Sequence, residues 1–113
     1  MIVDIINEFR RINNKPPVLT WEKPLNDYCL LHCLEMAKRG YHYHSEEYYR
    51  PGYGEIVAKA SFIDTTPTTI RNIIFEVFGK SIEGHREALL NWNTMAYGFY
   101  INKGSVYMVI RGK

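Results

Sequence analysis

Residues 95–111, with the sequence MAYGFYINKGSVYMVIR, predict two β-strands joined by a tight turn. The strand-like runs are Met95 to Ile101 and Ser105 to Arg111, and Asn102-Lys103-Gly104 between them is a good turn sequence. We therefore expect an antiparallel hairpin. In its second strand, apolar side chains occupy both alternating sets of positions: Val106, Met108 and Ile110 in one set, Tyr107 and Val109 in the other. This pattern indicates a sheet that is covered on one face or on both.

Apolar residues recur at three- and four-residue spacing in two segments before the hairpin, which predicts amphipathic helices. The first helix begins near residue 2 and ends at Asn13-Asn14, just before Pro16-Pro17. The other helix begins at Asp64-Thr65-Thr66-Pro67, where a threonine can cap it, and ends at Gly79. The apolar positions are Ile2, Ile5, Ile6, Phe9 and Ile12 in the first helix, and Ile70, Ile73, Ile74, Val77 and Phe78 in the other.

The helix between these two has a wider apolar face. It begins near Trp21 to Pro24, after a short extended link at residues 18–21, and ends at Gly40. The face is formed by Leu25, Tyr28, Cys29, Leu31, Leu34, Met36 and Ala37. Such width predicts a helix that more than one neighbouring element covers. Cys29 and Cys33 lie four residues apart on it, and we expect two buried free thiols, not a disulfide.

Two shorter elements complete the predicted fold. Residues 55–60 form either a strand or a buried extended segment, and a short helix runs roughly from Glu83 to Leu90 with His85 in its first turn. The sequence has no internal repeat and no linker, so residues 1–113 should form one domain. This order of elements predicts an α+β fold, with helices packed on a small antiparallel sheet and a C-terminal β-hairpin.

The composition excludes several classes of protein. The net charge is +2 and the basic residues are scattered, so we expect no nucleic-acid partner. No apolar run approaches the roughly 20 residues that a transmembrane helix needs. Charged residues between Asp4 and Arg11 interrupt the N-terminal apolar segment, which is therefore not a signal peptide. We expect either a cytoplasmic chain or a domain of a longer exported protein.

Residues 41–55, with the sequence YHYHSEEYYRPGYGE, contain two of the four histidines, five of the nine tyrosines and three glutamates. Gly40, Pro51, Gly52 and Gly54 predict a loop here and not a long helix or a central strand. Loops of this composition on a rigid scaffold commonly carry binding or catalytic residues. We expect this loop to form half of a polar cleft and the segment around His85 to form the other half.

Several motifs, taken in order along the chain, resemble those of one protein family. They are Asn7-Glu8-x-Arg10, Leu19-Thr20-Trp21 with Leu25, His44-Ser45, Gly54-Glu55-Ile56, Phe78 to Leu90, and the hairpin Met95 to Arg111. They resemble the CAP superfamily, also called SCP-like (cysteine-rich secretory proteins, antigen 5 and pathogenesis-related 1), in its short bacterial form. The chain departs from the family pattern in having Ile56 where a GEN motif has Asn, Phe78 in place of Trp, and one extra residue before His85.

The resemblance implies an α-β-α sandwich and a cleft that holds two histidines and usually two acidic residues. It assigns three residues to this cleft: His44, Glu55 and His85. The second acid is either Glu76 or Glu83, and in short bacterial members a serine, here Ser81, often takes its place. The resemblance also implies a location outside the cell or at its surface.

Two imidazoles and a carboxylate with an open fourth position are the ligand set of many zinc sites. His44, His85 and Glu55 could therefore hold zinc or another divalent cation. His42 and His44 would point to the same side of an extended segment and offer a second chelating pair. Alternatively, the two cleft histidines form hydrogen bonds to Glu55 or Glu76 and join the loop to a helix without a metal.

Three functions remain open from the sequence. The first is a monomeric binding domain whose cleft takes a metal ion together with a peptide, glycan or lipid, with Tyr43, Tyr49 and Tyr53 offering flat faces with polar tips. The second is a metal-dependent, peptidase-like hydrolase that uses the same cleft residues for catalysis. The third is a purely structural interaction module. No Gly-x-Ser-x-Gly motif marks a serine nucleophile.

Overall fold

The computed structural model describes residues 1–45 and 52–113. This part of the chain forms four α-helices, one π-helix and four strands. In order they are α1 (Ile2–Ile12), β1 (Thr20–Trp21), α2 (Lys23–Arg39), β2 (Gly54–Ser61), α3 (Thr66–Asn72), the π-helix (Ile73–Phe78), α4 (His85–Asn91), β3 (Thr94–Asn102) and β4 (Ser105–Gly112). The predicted helices and hairpin are confirmed, and residues 55–60 lie in a strand.

The strands form one sheet in the order β1-β3-β4-β2. β3 and β4 are the antiparallel hairpin, in which Asn102 lies opposite Ser105. Lys103 and Gly104 join them with φ angles of 51° and 77°. Two consecutive residues with positive φ are typical of the type I′ turn, whose twist matches that of the two strands. β2 pairs antiparallel with β4, so the hairpin occupies the centre of the sheet.

The sheet is mixed, whereas the sequence predicted an antiparallel one. The difference comes from β1, which pairs in parallel with β3 through Thr20 opposite Thr94 and Trp21 opposite Met95. This strand is the short extended link expected at residues 18–21. Two residues are too few to show an alternation, so the sequence pattern gave no sign of the strand or of its direction.

Helices cover both faces of the sheet, which confirms the α-β-α sandwich. Alternate strand residues such as Ile56 and Met108 face one core, which they share with α1, α3, the π-helix and α4. The intervening residues, such as Val57 and Val109, face a second core that they share with α2. Because side chains alternate along a strand, the position of a residue in β2 or β4 decides which of the two layers it joins.

The backbone of α2 lies directly on β3 at Gly98. A Cβ atom on Gly98 would be 2.6 Å from the backbone nitrogen of Leu30 and 2.7 Å from the carbonyl carbon of Cys29. Glycine therefore allows the helix to approach the sheet more closely than any other residue would. Cys29 and Cys33 are buried in this contact as free thiols, as expected. Burial raises the pKa of Cys29 to about 12 and raises the pKa of Cys33 further.

The prediction that more than one neighbouring element covers α2 is confirmed, but the buried face of the helix is narrower than predicted. Among the described residues, α2 packs against β3 and β4, and its opposite side faces solvent. Tyr28, Leu31 and Leu34, expected in the apolar face, are exposed, and so is Leu30. His32 is instead buried, with its Nε2 atom 2.6 Å from the carbonyl oxygen of Tyr43. A single helix on a sheet has only one side to bury, however many apolar residues it carries.

The helix expected after Thr65 divides into α3 and the π-helix. The hydroxyl of Thr65 accepts a hydrogen bond from the backbone N–H of Thr68, which confirms the threonine cap. Ile73, Ile74 and Phe78 of the π-helix are buried in the same core as α1. No helix in residues 1–45 or 52–113 combines the length and the apolar character that crossing a membrane would require.

Candidate functional site

A buried ion pair between Glu55 and Arg111 lies at one end of the sheet. The two residues are directly opposite each other in β2 and β4. The Arg111 Nε atom donates a hydrogen bond of 2.8 Å to Glu55 Oε2, and the two side chains are only 5% and 6% exposed. Both lie at the alternate strand positions that face α2, so the pair belongs to the α2 layer.

Ser45 joins the loop to this ion pair. Its hydroxyl donates to Glu55 Oε2 at 2.6 Å and accepts a hydrogen bond from a terminal nitrogen of Arg111. Its backbone N–H donates to Glu55 Oε1 at 2.8 Å. We call Ser45, Glu55 and Arg111 the carboxylate network. The single proton of the Ser45 hydroxyl is therefore donated to Glu55, and one of its two lone pairs accepts from Arg111.

The carboxylate network keeps Glu55 ionised. Burial by itself would raise the pKa of Glu55, but hydrogen bonds from the hydroxyl and backbone of Ser45 and from Arg111 outweigh burial and hold the pKa below its usual value. Glu55 is therefore charged near neutral pH and can only accept hydrogen bonds.

His44 extends from the carboxylate network into solvent. Its Nδ1 atom is 3.1 Å from Glu55 Oε1, and its side chain is 65% exposed. Because the carboxylate can only accept, Nδ1 must carry the proton in this contact. The Nε2 atom of the neutral ring is then an acceptor, so the network fixes the tautomer of a largely exposed imidazole.

An aromatic group lies next to His44 along the chain. The ring of Tyr41 is 5.2 Å from the ring of Tyr43, and the guanidinium of Arg39 lies 5.0 Å from the Tyr43 ring. His32 contacts the other side of Tyr43 edge-on, at 5.0 Å between ring centroids. Tyr43 is half-buried while Tyr41 is 52% exposed, so Tyr41 presents much of its surface to solvent.

The remaining tyrosines of the loop differ in their positions. Tyr53 is buried in the α2 layer, and its hydroxyl donates a 2.9 Å hydrogen bond to Glu22. Tyr49, predicted as part of a ligand surface, lies outside the described residues. His42, predicted to form a chelating pair with His44, is exposed. Among the described residues, the two histidines are not part of any group of three side chains that could hold a metal ion.

The structure does not bring His85 to His44 and Glu55. His85 is the first residue of α4, and its ring packs edge-on against Phe78 at 5.4 Å. Phe78 belongs to the core on the face of the sheet opposite α2. The first histidine and the acid of the expected cleft therefore lie in one layer, and the second histidine contacts the other.

The other expected cleft residues lie near His85 and on the surface. Glu76 is exposed on the π-helix and forms an ion pair with Lys80 one turn later. The hydroxyl of Ser81 accepts a hydrogen bond of 3.1 Å from the backbone N–H of Glu83, and the side chain of Glu83 is exposed. Neither acid contacts the carboxylate network.

Within residues 1–45 and 52–113, no three His, Cys, Asp or Glu side chains are placed together so that they could hold a metal ion. Both carboxylate oxygens of Glu55, which would be its metal ligands, already take part in hydrogen bonds. Oε1 contacts His44 and Ser45, and Oε2 contacts Ser45 and Arg111. A guanidinium bound to the carboxylate disfavours a cation at the same place. In this arrangement the predicted ligands His44, Glu55 and His85 do not fit a zinc site.

The opening motif Asn7-Glu8-x-Arg10 has a structural role. Arg10 is buried and donates to the carbonyl oxygens of Pro16, Leu89 and Trp92, so it caps the end of α4. Asn7 accepts a hydrogen bond from the backbone of Val18, and Glu8 pairs with Arg71 on α3. The motif therefore joins α1 to the segment that precedes β1, to α3 and to α4.

Arg111 was not predicted as a site residue. The sequence indicated it only as the end of the hairpin, although it forms the buried ion pair with Glu55. The available signal was the strand pairing: once residues 55–60 are paired with the last strand, a glutamate at one end meets an arginine at the other.

The sequence matches the model of the cysteine-rich secretory protein (CAP) family over residues 3–110. No curated protein matches it significantly. Among solved structures, an extracellular protein containing an SCP domain from Bacillus anthracis str. Ames has a TM-score of 0.65 and 20% identity over 99% of this chain, which spans 39% of that protein. Schistosoma mansoni venom allergen-like protein 4 has a TM-score of 0.59 and 19% identity, covering 97% of this chain and 83% of that one.

At these identities the solved structures establish the fold, and the family match covers nearly the whole chain. The matched residues include the helix-capping Arg10 and two members of the carboxylate network, Ser45 and Glu55, while Arg111 lies one residue beyond them. The chain belongs to the cysteine-rich secretory protein (CAP) family.

Proposed function

We propose that this chain is a non-catalytic binding domain that takes a glycan at the surface formed by Arg39, Tyr41, Tyr43 and His44. We call these four residues the loop surface. The observation that carries the proposal is that Glu55 of the buried carboxylate network contacts Nδ1 of His44 and orients its ring, while the His44 side chain is 65% exposed. An ordered, exposed imidazole next to an exposed tyrosine is suited to contact a ligand.

The chemistry of the loop surface favours a polar ligand. The Tyr41 ring offers a flat face, and His44 Nε2 and Arg39 offer hydrogen-bonding groups beside it. Sugar rings present C–H groups that pack on an aromatic face and hydroxyls that pair with such groups. Charged neighbours, among them Lys59, which donates to the carbonyl oxygen of Gly40, make the surface less suitable for a lipid chain. A peptide is the competing ligand.

Metal binding and metal-dependent hydrolysis stay predictions. For zinc to bind at Glu55, the carboxylate would have to release Ser45 or Arg111, and His85 would have to move to its side of the sheet. The hydroxyl of Ser45 already donates its proton to Glu55, and the raised pKa values of Cys29 and Cys33 disfavour thiolates at those two positions. These contacts support binding over hydrolysis as the function of the site.

The fold relative from Bacillus anthracis is described as extracellular. We extend this location to the present chain as part of the proposal, so the ligand would be a glycan outside the cell or at its surface. The short bacterial form of the family that the motifs resemble is consistent with this location.

A glycan array and a peptide array probed with the labelled protein would test the proposal. We expect glycan binding that Tyr41→Ala and His44→Ala each weaken at least tenfold, because each removes one of the two contacts. Tyr100→Ala is the matched control, since Tyr100 is an exposed tyrosine on β3 and does not belong to the loop surface. Binding to peptides alone, or binding that is unchanged in both loop variants, would overturn the proposal.

A calorimetric titration of zinc into metal-stripped protein tests the metal prediction separately. One-site binding that is lost in His44→Ala would show that the carboxylate network rearranges to accept a metal. Hydrolytic activity should then be measured on the metal-loaded protein. No heat of binding, in folded wild-type protein, would leave the glycan proposal unaffected and show that the predicted zinc site does not form.

A further inference from the structure

The outward side of α2 carries an apolar surface that no described element covers. Four large side chains are exposed there, with relative exposures of 41% for Tyr28, 40% for Leu30, 47% for Leu31 and 38% for Leu34. The opposite side of the helix is buried against β3 and β4. Exposed clusters of this kind on one helix are typical of surfaces that bind another protein.

Part of this surface has the spacing of a helix-packing seam. Asp27, Leu31, Leu34 and Lys38 follow one another at intervals of four, three and four residues. On an α-helix this spacing places side chains in a single row, as at the a and d positions of a coiled coil. Leu30 lies beside Leu34 and widens the row. We call Asp27, Leu31, Leu34 and Lys38 the α2 seam.

The two ends of the α2 seam carry opposite charges. Asp27 is near the beginning of the helix and Lys38 is near its end, and neither forms an ion pair with another residue of the described segments. A complementary partner needs a cation at one end, two apolar side chains in the middle and an anion at the other end. The seam itself, turned by 180°, meets this requirement.

We propose that the α2 seam binds the same seam of a second copy of this chain, with the two helices antiparallel. Leu31 of each copy then packs against Leu34 of the other, and Asp27 of each copy lies beside Lys38 of the other. The two-fold axis passes between residues 32 and 33. A parallel pair would place Asp27 against Asp27 and Lys38 against Lys38, so the charges select the antiparallel arrangement.

The dimer is weak. One pair of helices of this length buries less than the roughly 1,200 Å² that stable complexes usually bury, so we expect a dissociation constant on the order of 100 µM. This association does not use any residue of the loop surface, which begins at Arg39, the last residue of α2. It stands whether or not the proposed glycan binds.

Sedimentation equilibrium of the whole chain tests the apolar part of the interface. We expect the mean mass of the wild-type protein to rise with concentration toward that of a dimer. The double variant Leu31→Glu/Leu34→Glu should remain a monomer throughout, with unchanged far-ultraviolet circular dichroism because both positions are exposed. Leu19→Glu, at an exposed leucine before β1, should behave like the wild type. A wild-type monomer at every concentration, or a dimer that the double variant retains, would overturn the proposal.

Charge reversal tests the orientation. Asp27→Lys and Lys38→Asp should each weaken the dimer roughly fivefold, since each places like charges together at both ends. The combination Asp27→Lys/Lys38→Asp should restore the wild-type association because it exchanges the charges without changing their complementarity. The antiparallel seam would be ruled out if the single variants associated as strongly as the wild type. It would also be ruled out if the double variant associated as weakly as either single variant.

Discussion

Glu55 and Arg111 face each other across the β2–β4 pair, with Arg111 Nε 2.8 Å from Glu55 Oε2, and together they connect the sheet to the loop that follows α2. Both side chains are almost fully buried. Ser45 is bonded to both, so the pairing of two strands also sets the position of a loop residue ten positions from Glu55.

Removing one member of this pair should strongly destabilise the protein. Arg111→Met leaves the carboxylate of Glu55 buried without its cation, and we expect a loss of about 3 kcal/mol or more in the free energy of unfolding. Urea denaturation measures it. Glu8→Gln, which breaks the exposed pair with Arg71, is the control and should have a much smaller effect. A buried-pair variant as stable as this control would contradict the expectation.

The lowered pKa of Glu55 makes stability depend on pH. The folded-state pKa is below the unfolded-state value, so the contribution is complete above the unfolded-state pKa and is lost as pH falls through the folded-state pKa. The free energy of unfolding of the wild type should therefore fall more steeply than that of Glu55→Gln over roughly pH 5 to 2. Denaturation curves at a series of pH values give both slopes. Equal slopes for the two proteins would show that Glu55 does not contribute to the pH dependence of stability.

Gly98→Ala should prevent α2 from reaching the sheet. The added methyl group would lie 2.6 Å from the Leu30 backbone nitrogen, and a backbone atom cannot turn aside as a side chain can. We expect a loss of about 2 kcal/mol or more in the free energy of unfolding. Ala96 is buried on the same strand, and Ala96→Gly, which removes one packed methyl group and lowers the strand propensity, is the comparison variant. A neutral Gly98→Ala variant would mean that α2 can shift outward without cost.

Arg10→Met should weaken the attachment of α1 to α4. The guanidinium donates to three carbonyl oxygens, those of Pro16, Leu89 and Trp92, which would lose their partner inside the protein. We expect about 2 to 3 kcal/mol of destabilisation by thermal or urea unfolding. Arg11 is its exposed neighbour, and Arg11→Met should change the stability by less than about 0.5 kcal/mol. Similar effects at both positions would contradict the capping role of Arg10.

The two cysteines should be inert in the folded protein. Burial raises the pKa of Cys29 to about 12 and raises the pKa of Cys33 as well, so neither forms a thiolate near neutral pH. We expect almost no reaction with Ellman's reagent in native buffer and two equivalents of thiol in guanidinium chloride. Rapid labelling of the native protein would show that α2 opens from the sheet.

The sequence predicted the helices and strands better than it predicted which of them pack against each other. The period of apolar residues identified α1 and the hairpin, because each has one buried side and a clear stop signal. The same period could not say how wide the buried face of α2 is, since Leu31 and Leu34 look equally apolar whether they face a core or solvent. It also could not distinguish α-helix from π-helix at Ile73–Phe78.

The family motifs identified the right segments but not their arrangement. His44 and Glu55 meet as expected, whereas His85 packs on Phe78 across the sheet. The side of the sheet that Glu55 faces depends on the register of β2 against β4, and no local sequence pattern contains that register. For the same reason Arg111 was recognised as a site residue only in the structure.

The order of strands in the sheet bears on how this chain folds during synthesis. Within residues 1–45 and 52–113, β1 pairs only with β3 and β2 pairs only with β4. The two strands that are synthesised first therefore do not pair with each other. A ribosome makes the chain from its N-terminus, so the central hairpin emerges after β1 and β2. β1 and β2 therefore stay unpaired until residues 94–112 leave the ribosome. The sheet can assemble only after β3 and β4 have been synthesised.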